Sequence, residues 1–154
     1  MDDFGLAVGP RVSFTIDEGG AIRIGRRVQL REGCEVWAVG GRIDIGENVF
    51  FNRFCSLIAR GGIEIGSDCL FGPNVGVYDH DHRFDDDTRP IWAQAHRVAP
   101  VSIGSNVWIG ANAIITAGAQ IGDRVVVGAN SVVTGDVESG TMVAGVPAKL
   151  VRRL

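Results

Sequence analysis

The sequence predicts an all-β fold: a solenoid of short parallel strands wound through about six coils, with one long extruded loop at 79–100 and a short C-terminal helix. Two compositional biases and one internal repeat point to it. Of 154 residues, 22 are Gly, about twice the roughly 7% of ordinary proteins. Val and Ile together number 34 against 6 Leu, and β-branched side chains suit pleated strands better than helices. A short signal then recurs as AIRIG at 21–25, RIDIG at 42–46, GIEIG at 62–66, VSIG at 101–104 and AQIG at 119–122.

The repeat fixes the coil. Ile24, Ile45, Ile65, Ile103 and Ile121 are separated by 21, 20, 38 and 18 residues, which reads as a coil of about 18 residues with short early insertions and one long one between 79 and 100. Within a coil the period falls to six. Ile103, Ile109, Ile115, Ile121, Val127 and Val133 are all aliphatic, and four residues after each stands Val107, Ala113, Ala119, Val125, Ser131 or Val137. Period two would make a flat sheet and 3.6 a helix. A period of six with alternating large and small inward positions describes a three-sided prism with tight corners. Gly104, Gly110 and Gly128, with Asn106, Asn112 and Asn130, are expected to fill corners where a positive φ is needed. Cys34, Cys55 and Cys69 fall in the small inward register, four residues after Leu30, Phe51 and Ile65, so they are expected to be core fillers. Their number and spacing suit neither a disulfide framework nor a cysteine zinc site.

Composition narrows function by exclusion. The net charge is −3 and the sequence pI is about 5.5, so no overall basic field is available to hold a nucleic acid. No run of 18 or more apolar residues exists, and MDDFGLAVGP lacks the basic and apolar regions of a secretion signal. A soluble, cytoplasmic, single domain over 1–154 is expected. Lys149 is the only lysine beside 14 arginines, and Arg152 and Arg153 follow it closely. With Pro147 opening a short helix, these three would fall at i, i+3 and i+4 on one face, a small cationic patch suited to phosphates.

The break in the repeat, YDHDHRFDDDTRPIWAQAHRVAP at 78–100, holds all three histidines: His80, His82 and His96. A long polar loop inside a compact repeat is more often functional than decorative. The hexapeptide pattern resembles the left-handed parallel β-helix acyltransferases, the family of the galactoside, maltose and xenobiotic O-acetyltransferases. The left hand comes from that resemblance alone, as does the expectation of a homotrimer with active sites between subunits.

In that family a histidine a few residues past a P-N-V segment is the general base. Here Pro73-Asn74-Val75 supply the segment and His82 the matching position, with His80 its near neighbour. A neutral imidazole can take the proton of an acceptor hydroxyl as it attacks a thioester directly. Asp79, His80 and Asn52 are expected on the acceptor side, and Asp79 or Asp81 could instead orient the ring and fix its tautomer. Residues 102–154 resemble the family's acetyl-CoA half: Ala111 and Ala129 match backbone contacts along the pantetheine, Thr134 and Gly135 a site further along, Trp108 an aromatic near the thioester, and Lys149 and Arg152 the phosphates. Two features depart from the family. Arg60 stands where its acidic acceptor-binding residue belongs, and the N-terminal helical segment is missing.

The resemblance thus implies acetyl transfer from acetyl-CoA to a hydroxyl of a sugar or sugar-like acceptor, with polysaccharide biosynthesis as the expected setting and no metal required. N-acetylation of an amino sugar is a variant. A γ-carbonic-anhydrase-like metal hydratase and a silent scaffold are competing readings. The histidine spacing does not suit the hydratase, and the scaffold predicts no thiol release from acetyl-CoA.

Overall fold

The computed structural model describes residues 5–154. The first coil runs through β1 (Ala7–Val8), β2 (Ser13–Asp17) and β3 (Ala21–Ile24), the second through β4 (Gln29–Leu30), β5 (Glu35–Val39) and β6 (Arg42–Ile45), and the third through β7 (Phe50–Phe51), β8 (Ser56–Ala59) and β9 (Gly62–Ile65). The fourth begins with β10 (Leu70–Phe71) and β11 (Gly76–Tyr78), leaves the prism for an excursion containing β12 (His80–His82) and β13 (His96–Val98), and returns in β14 (Val101–Ile103). The fifth holds β15 (Trp108–Ile109), β16 (Ile114–Ile115) and β17 (Gln120–Ile121). The sixth holds β18 (Val126–Val127) and β19 (Val132–Val133), and ends where Val137 bridges Ile121.

Corresponding strands stack in parallel register into three sheets, one per wall of the prism. In order, the first is β1-β4-β7-β10-β15-β18, extended by β20 (Thr141–Gly145) and β21 (Ala148–Arg153), the second β2-β5-β8-β11-β16-β19, and the third β3-β6-β9-β14-β17. The sequence reading of about six coils therefore holds.

The inward residues are those the six-residue period selects. Ile109, Ile115, Ala113 and Ala119 are fully buried, as are Val36 and Val77. Where the anchor enlarges to Phe51 and Phe71, the two rings stack with centroids 4.5 Å apart. Each fully buried aliphatic anchor contributes about 1.5–3 kcal/mol, repeated up the axis. Cys34, Cys55 and Cys69 are buried and unpaired, filling the small inward register, and burial pushes the Cys69 thiol up.

The corners divide the labour in a way the sequence reading did not separate. Asn106, Asn112 and Asn130 do adopt φ of 56–58°, the left-handed region that Asn tolerates. Gly104, Gly110 and Gly128 are absent from the positive-φ positions. They are small because coils touch there: a Cβ on Gly110 would sit 2.5 Å from the Ala129 nitrogen, and one on Gly128 would sit 2.9 Å from the Ala144 Cβ. Close coil contact, not backbone handedness, accounts for those glycines.

The C-terminal helix is also replaced. Beyond the turn at Val146-Pro147, β21 folds back antiparallel on β20. The last coil leaves β20 with a free strand edge whose backbone groups need partners, whereas a helix of eight residues is marginal in isolation. Pairing wins. Lys149, Arg152 and Arg153 therefore lie on a strand, not a helix face.

Candidate functional site

The excursion is built as a hairpin. β12 pairs antiparallel with β13, placing His80 opposite Val98, Asp81 opposite Arg97 and His82 opposite His96. Alternation along β12 puts His80 and His82 on one face, and the register brings His96 to the same face. The ring centroids of His82 and His96 are 4.5 Å apart, and those of His80 and His96 5.4 Å, edge on. Three histidines scattered over 17 positions thus form one cluster. The sequence singled out two of them; His96 was legible only once residues 80–82 and 96–98 were known to pair.

Asp79 anchors this hairpin to the prism. Its carboxylate is fully buried. Oδ2 accepts from the Gly61 and Gly62 amides at 2.7 and 2.6 Å, and Oδ1 from the Arg60 amide at 2.8 Å. His80 Nδ1 lies 3.0 Å from the same Oδ1. The fit is tight, since a Cβ on Gly61 would meet Val98 Cγ1 at 2.7 Å. An acidic side chain with no exposed surface and four donors around it has nothing left for a ligand, so Asp79 does not stand on the acceptor side; of the two readings of this residue, the orienting one fits, with the imidazole it meets being that of His80 rather than His82. With Nδ1 serving as the donor to Asp79, His80 keeps its Nε2 lone pair free.

The far end of the excursion closes on a second buried polar group. Gln94 donates from Nε2 to the carbonyls of Asp86 and Arg89 at 2.8 and 3.0 Å, and its Oε1 accepts from the Asp86 amide at 3.2 Å. Between these anchors lies an open cleft of about 800 Å³ lined by His82 and His96 together with Asp81, Arg83, Asp85 and Arg97. Arg83 pairs with Asp85 through two contacts and holds its carboxyl down to about 2. Burial, then the nearby charge of Arg60, then His82 and His80 push His96 below the ordinary imidazole range. A neutral His96 beside His82 leaves the cluster able to accept a proton rather than already carrying one. Among the described residues no group of three or more His, Cys, Asp or Glu is arranged to hold a metal ion.

The remaining sequence-selected residues lie elsewhere on the prism. Asn52, Ala111 and Ala129 occupy the corner between the first and second sheets, whereas the excursion leaves the corner between the second and third. Asn52 turns its Oδ1 back on the Arg53 amide at 2.8 Å, and one chain does not bring it to His82. Ala111 and Ala129 stand one coil apart, and neither amide makes an intramolecular hydrogen bond among the described residues. Thr134 and Gly135 follow β19, on the same corner as the excursion, with open space where a Cβ on Gly135 would stand. Trp108 projects from the first sheet, half exposed, in register with Leu70 and Val126.

The terminal hairpin recovers part of the cationic patch by another route. A bulge between Met142 and Val143 sets Arg152 opposite Met142 and Lys149 opposite Ala144. Cross-strand partners share a face, and Met142 and Ala144 are two apart on β20, so Lys149 and Arg152 lie on one face, in line with the row that continues through Val126 to Trp108. Arg153 does not join them, because Glu138 takes both its terminal nitrogens at 3.0 Å.

Comparison with known proteins follows the geometry. The family described as bacterial transferase hexapeptide (six repeats) matches residues 100–135. Nodulation protein L of Rhizobium leguminosarum bv. viciae is 43% identical over 131 residues, 85% of this chain and 66% of its own. A putative lipopolysaccharide biosynthesis O-acetyl transferase of Escherichia coli (strain K12), WbbJ, is 33% identical over 146 residues, 90% of this chain and 74% of its own. Among solved structures, a mutant of AntD, an N-acyltransferase from Bacillus cereus in complex with dTDP and coenzyme A, superimposes with a TM-score of 0.79 at 25% identity, covering 96% of this chain and 83% of that one. The chain spans 60–66% of the length of the first three curated relatives.

Proposed function

The chain belongs to the hexapeptide-repeat acetyltransferases, and from that premise we propose that it transfers an acetyl group from acetyl-CoA to a hydroxyl of a sugar or sugar-like acceptor. His82 is the general base. The observation that carries this reading is His82 on the wall of an open cleft, packed at a tilt against a neighbouring imidazole whose proton affinity is lowered. His82 takes the acceptor proton as the oxygen attacks the thioester carbon; the C–O bond forms, the C–S bond breaks, and the proton passes on to the leaving thiolate. No covalent enzyme intermediate is required. Such a base is worth about 10²–10⁴-fold.

The donor-side residues fit an extended thioester ligand. The free amides of Ala111 and Ala129, one coil apart, suit the carbonyls of a pantetheine arm, Trp108 lies on the adjacent wall, and Thr134 and Gly135 present open surface. Lys149 and Arg152 offer charge for the phosphates. Because these amides and His82 sit on different corners of one prism, a second copy of the chain is needed to bring base and donor together. This supports a homotrimer with its sites between subunits. Asn52, on the same corner as the amides, would then reach the acceptor from the neighbouring copy.

An amino group could replace the hydroxyl without altering the machinery, and the N-acyltransferase activity of AntD keeps that variant in view. The test is thiol release from acetyl-CoA against sugars, nucleotide sugars and amino sugars, alongside the oligomeric mass. An active acceptor is expected, in a particle three chains in mass. Absence of thiol release with every acceptor would favour the scaffold reading, and a rate above about a tenth of normal in His82→Ala would remove the base assignment.

A further inference from the structure

Arg60 stands out once every charged group near the excursion is followed to its partner. It occupies the corner between β8 and β9, directly under the point where the chain leaves the prism. Its amide and the His80 ring meet the same oxygen, Asp79 Oδ1, at 2.8 and 3.0 Å, so its backbone is locked one hydrogen bond from the imidazole cluster. Its side chain has no such partner. Arg60 Nε is the one buried side-chain nitrogen or oxygen among the described residues that makes no hydrogen bond, and no ion pair claims the guanidinium.

Glu18, on the same corner two coils away, opposes the charge of Arg60 at His96 but makes no ion pair with it, and the carboxylates of the excursion do not supply a partner either. Asp85 is taken by Arg83 and Asp86 by Arg89, while Asp79 spends its oxygens on backbone amides and His80. Asp81 lies across the hairpin from Arg97. Arg60 is half-buried: its Nε is unpaired below the surface, which is costly, while the rest of the fork meets no partner among the described residues and is left for solvent or a ligand. A guanidinium presents a planar fork that matches the paired oxygens of a carboxylate or phosphate.

We propose that Arg60 binds an anionic group of the acceptor, a carboxylate or a phosphate, beside the histidine cluster. The proposal rests on the acyl-transfer reading and narrows it from sugars in general to negatively charged ones. The charge of Arg60 already reaches His96, where it is second only to burial in lowering the proton affinity. An anion seated on Arg60 would cancel that influence, which gives the proposal a readout independent of turnover.

The experiment has two arms. In the first, NMR follows the His96 ring through a pH titration with saturating glucose, glucuronate or glucose 6-phosphate. An upward shift of the His96 midpoint with at least one anion, none with glucose, and no response to either anion in Arg60→Gln is the expected result. No shift with either anion overturns the proposal, whether or not an acetyl acceptor has been found, so its failure is separable from failure of the transferase reading. In the second arm, kcat/KM for acetylation is compared across the same three sugars. Arg60→Gln should raise KM for the charged acceptor about 10- to 100-fold more than KM for the neutral sugar, whatever the change in kcat common to both, and Arg60→Lys should restore part of the difference. The carboxylate and phosphate lanes identify which anion is preferred. Equal losses for charged and neutral acceptors overturn the proposal as well.

Discussion

The coils and the excursion are held by opposite means. Inside the prism, anchors such as Ile109, Ile115 and Val127 are buried among other aliphatic side chains, and the hydrogen bonds that join coils come mostly from the backbone. In the excursion the sequence has no period, and order comes from two buried polar groups, Asp79 and Gln94. These are half of the four buried polar side chains among the described residues. Apolar burial adds up residue by residue and tolerates variation, whereas a satisfied polar network is specific and fails as a unit. The molecule thus places its imidazole cluster on the part of the chain that is held by specific polar contacts.

The largest effect that would sharpen this contrast is catalytic. His82→Ala should lower kcat about 10²–10⁴-fold with the melting temperature unchanged, because the ring is exposed and Asp79 and Gln94 still hold the hairpin. His80→Ala is the internal comparison. If the larger loss falls there, the base is the imidazole that Asp79 orients, and His82 is its neighbour.

The complementary change sits in a coil. Ile109→Ala should destabilise the chain by about 2–5 kcal/mol while leaving kcat of the folded enzyme near normal, measured by denaturant unfolding and by activity below the transition. A large drop in kcat at unchanged stability would break the division between scaffold and site.

That division also decides what was legible in the sequence. The six-residue period named the buried anchors and the cysteine positions because each coil repeats the same geometric demand, so one reading error is corrected by its neighbours. Nothing repeats in residues 79–100. His80 and His82 could be found by composition and resemblance, but the pairing of His82 with His96 depends on a hairpin closed by Gln94, and although Asp79 was singled out, nothing in an acidic loop told that it would be the buried one, held by the amides of residues 60–62. The C-terminal strand was missed for a different reason: Pro147 and the spacing of Lys149, Arg152 and Arg153 suit a helix locally, while the free edge of β20 is a tertiary demand. The glycine columns were found but explained by φ, since sequence does not separate a residue chosen for handedness from one chosen for the closeness of the next coil.

A smaller effect tests the corrected hairpin. Lys149→Ala and Arg152→Ala should each raise the acetyl-CoA KM about tenfold, with little effect on a truncated donor lacking the adenosine and 3′-phosphate. Arg153→Ala should leave both unchanged, because its fork is already occupied by Glu138. On the helix first expected, Arg153 would have shared the face with Lys149 and all three substitutions would have acted alike. An Arg153→Ala effect as large as that of Lys149→Ala would reopen that arrangement.

The smallest effect isolates what a corner asparagine contributes. Asn112 combines a φ of 58° with a side-chain ladder: its Oδ1 accepts from Asn74 Nδ2 at 3.0 Å and its Nδ2 donates to Asn130 Oδ1 at 3.1 Å. Asn112→Gly keeps the conformation accessible and removes the ladder, which lies at the surface and competes with water, so the loss should be within about 1 kcal/mol. Asn112→Ala removes the ladder and also forces a Cβ into the left-handed region, adding about 1–2 kcal/mol. For a chain of this size each kcal/mol moves the melting temperature by roughly 2–4 °C, so thermal unfolding resolves the difference. If the two variants melt together, the corner is held by its side-chain ladder and backbone handedness contributes nothing. If Ala alone falls, the asparagines stand in their column because of the φ they tolerate, and the coils owe their corners to the backbone, as the comparison with the side-chain-bonded excursion requires.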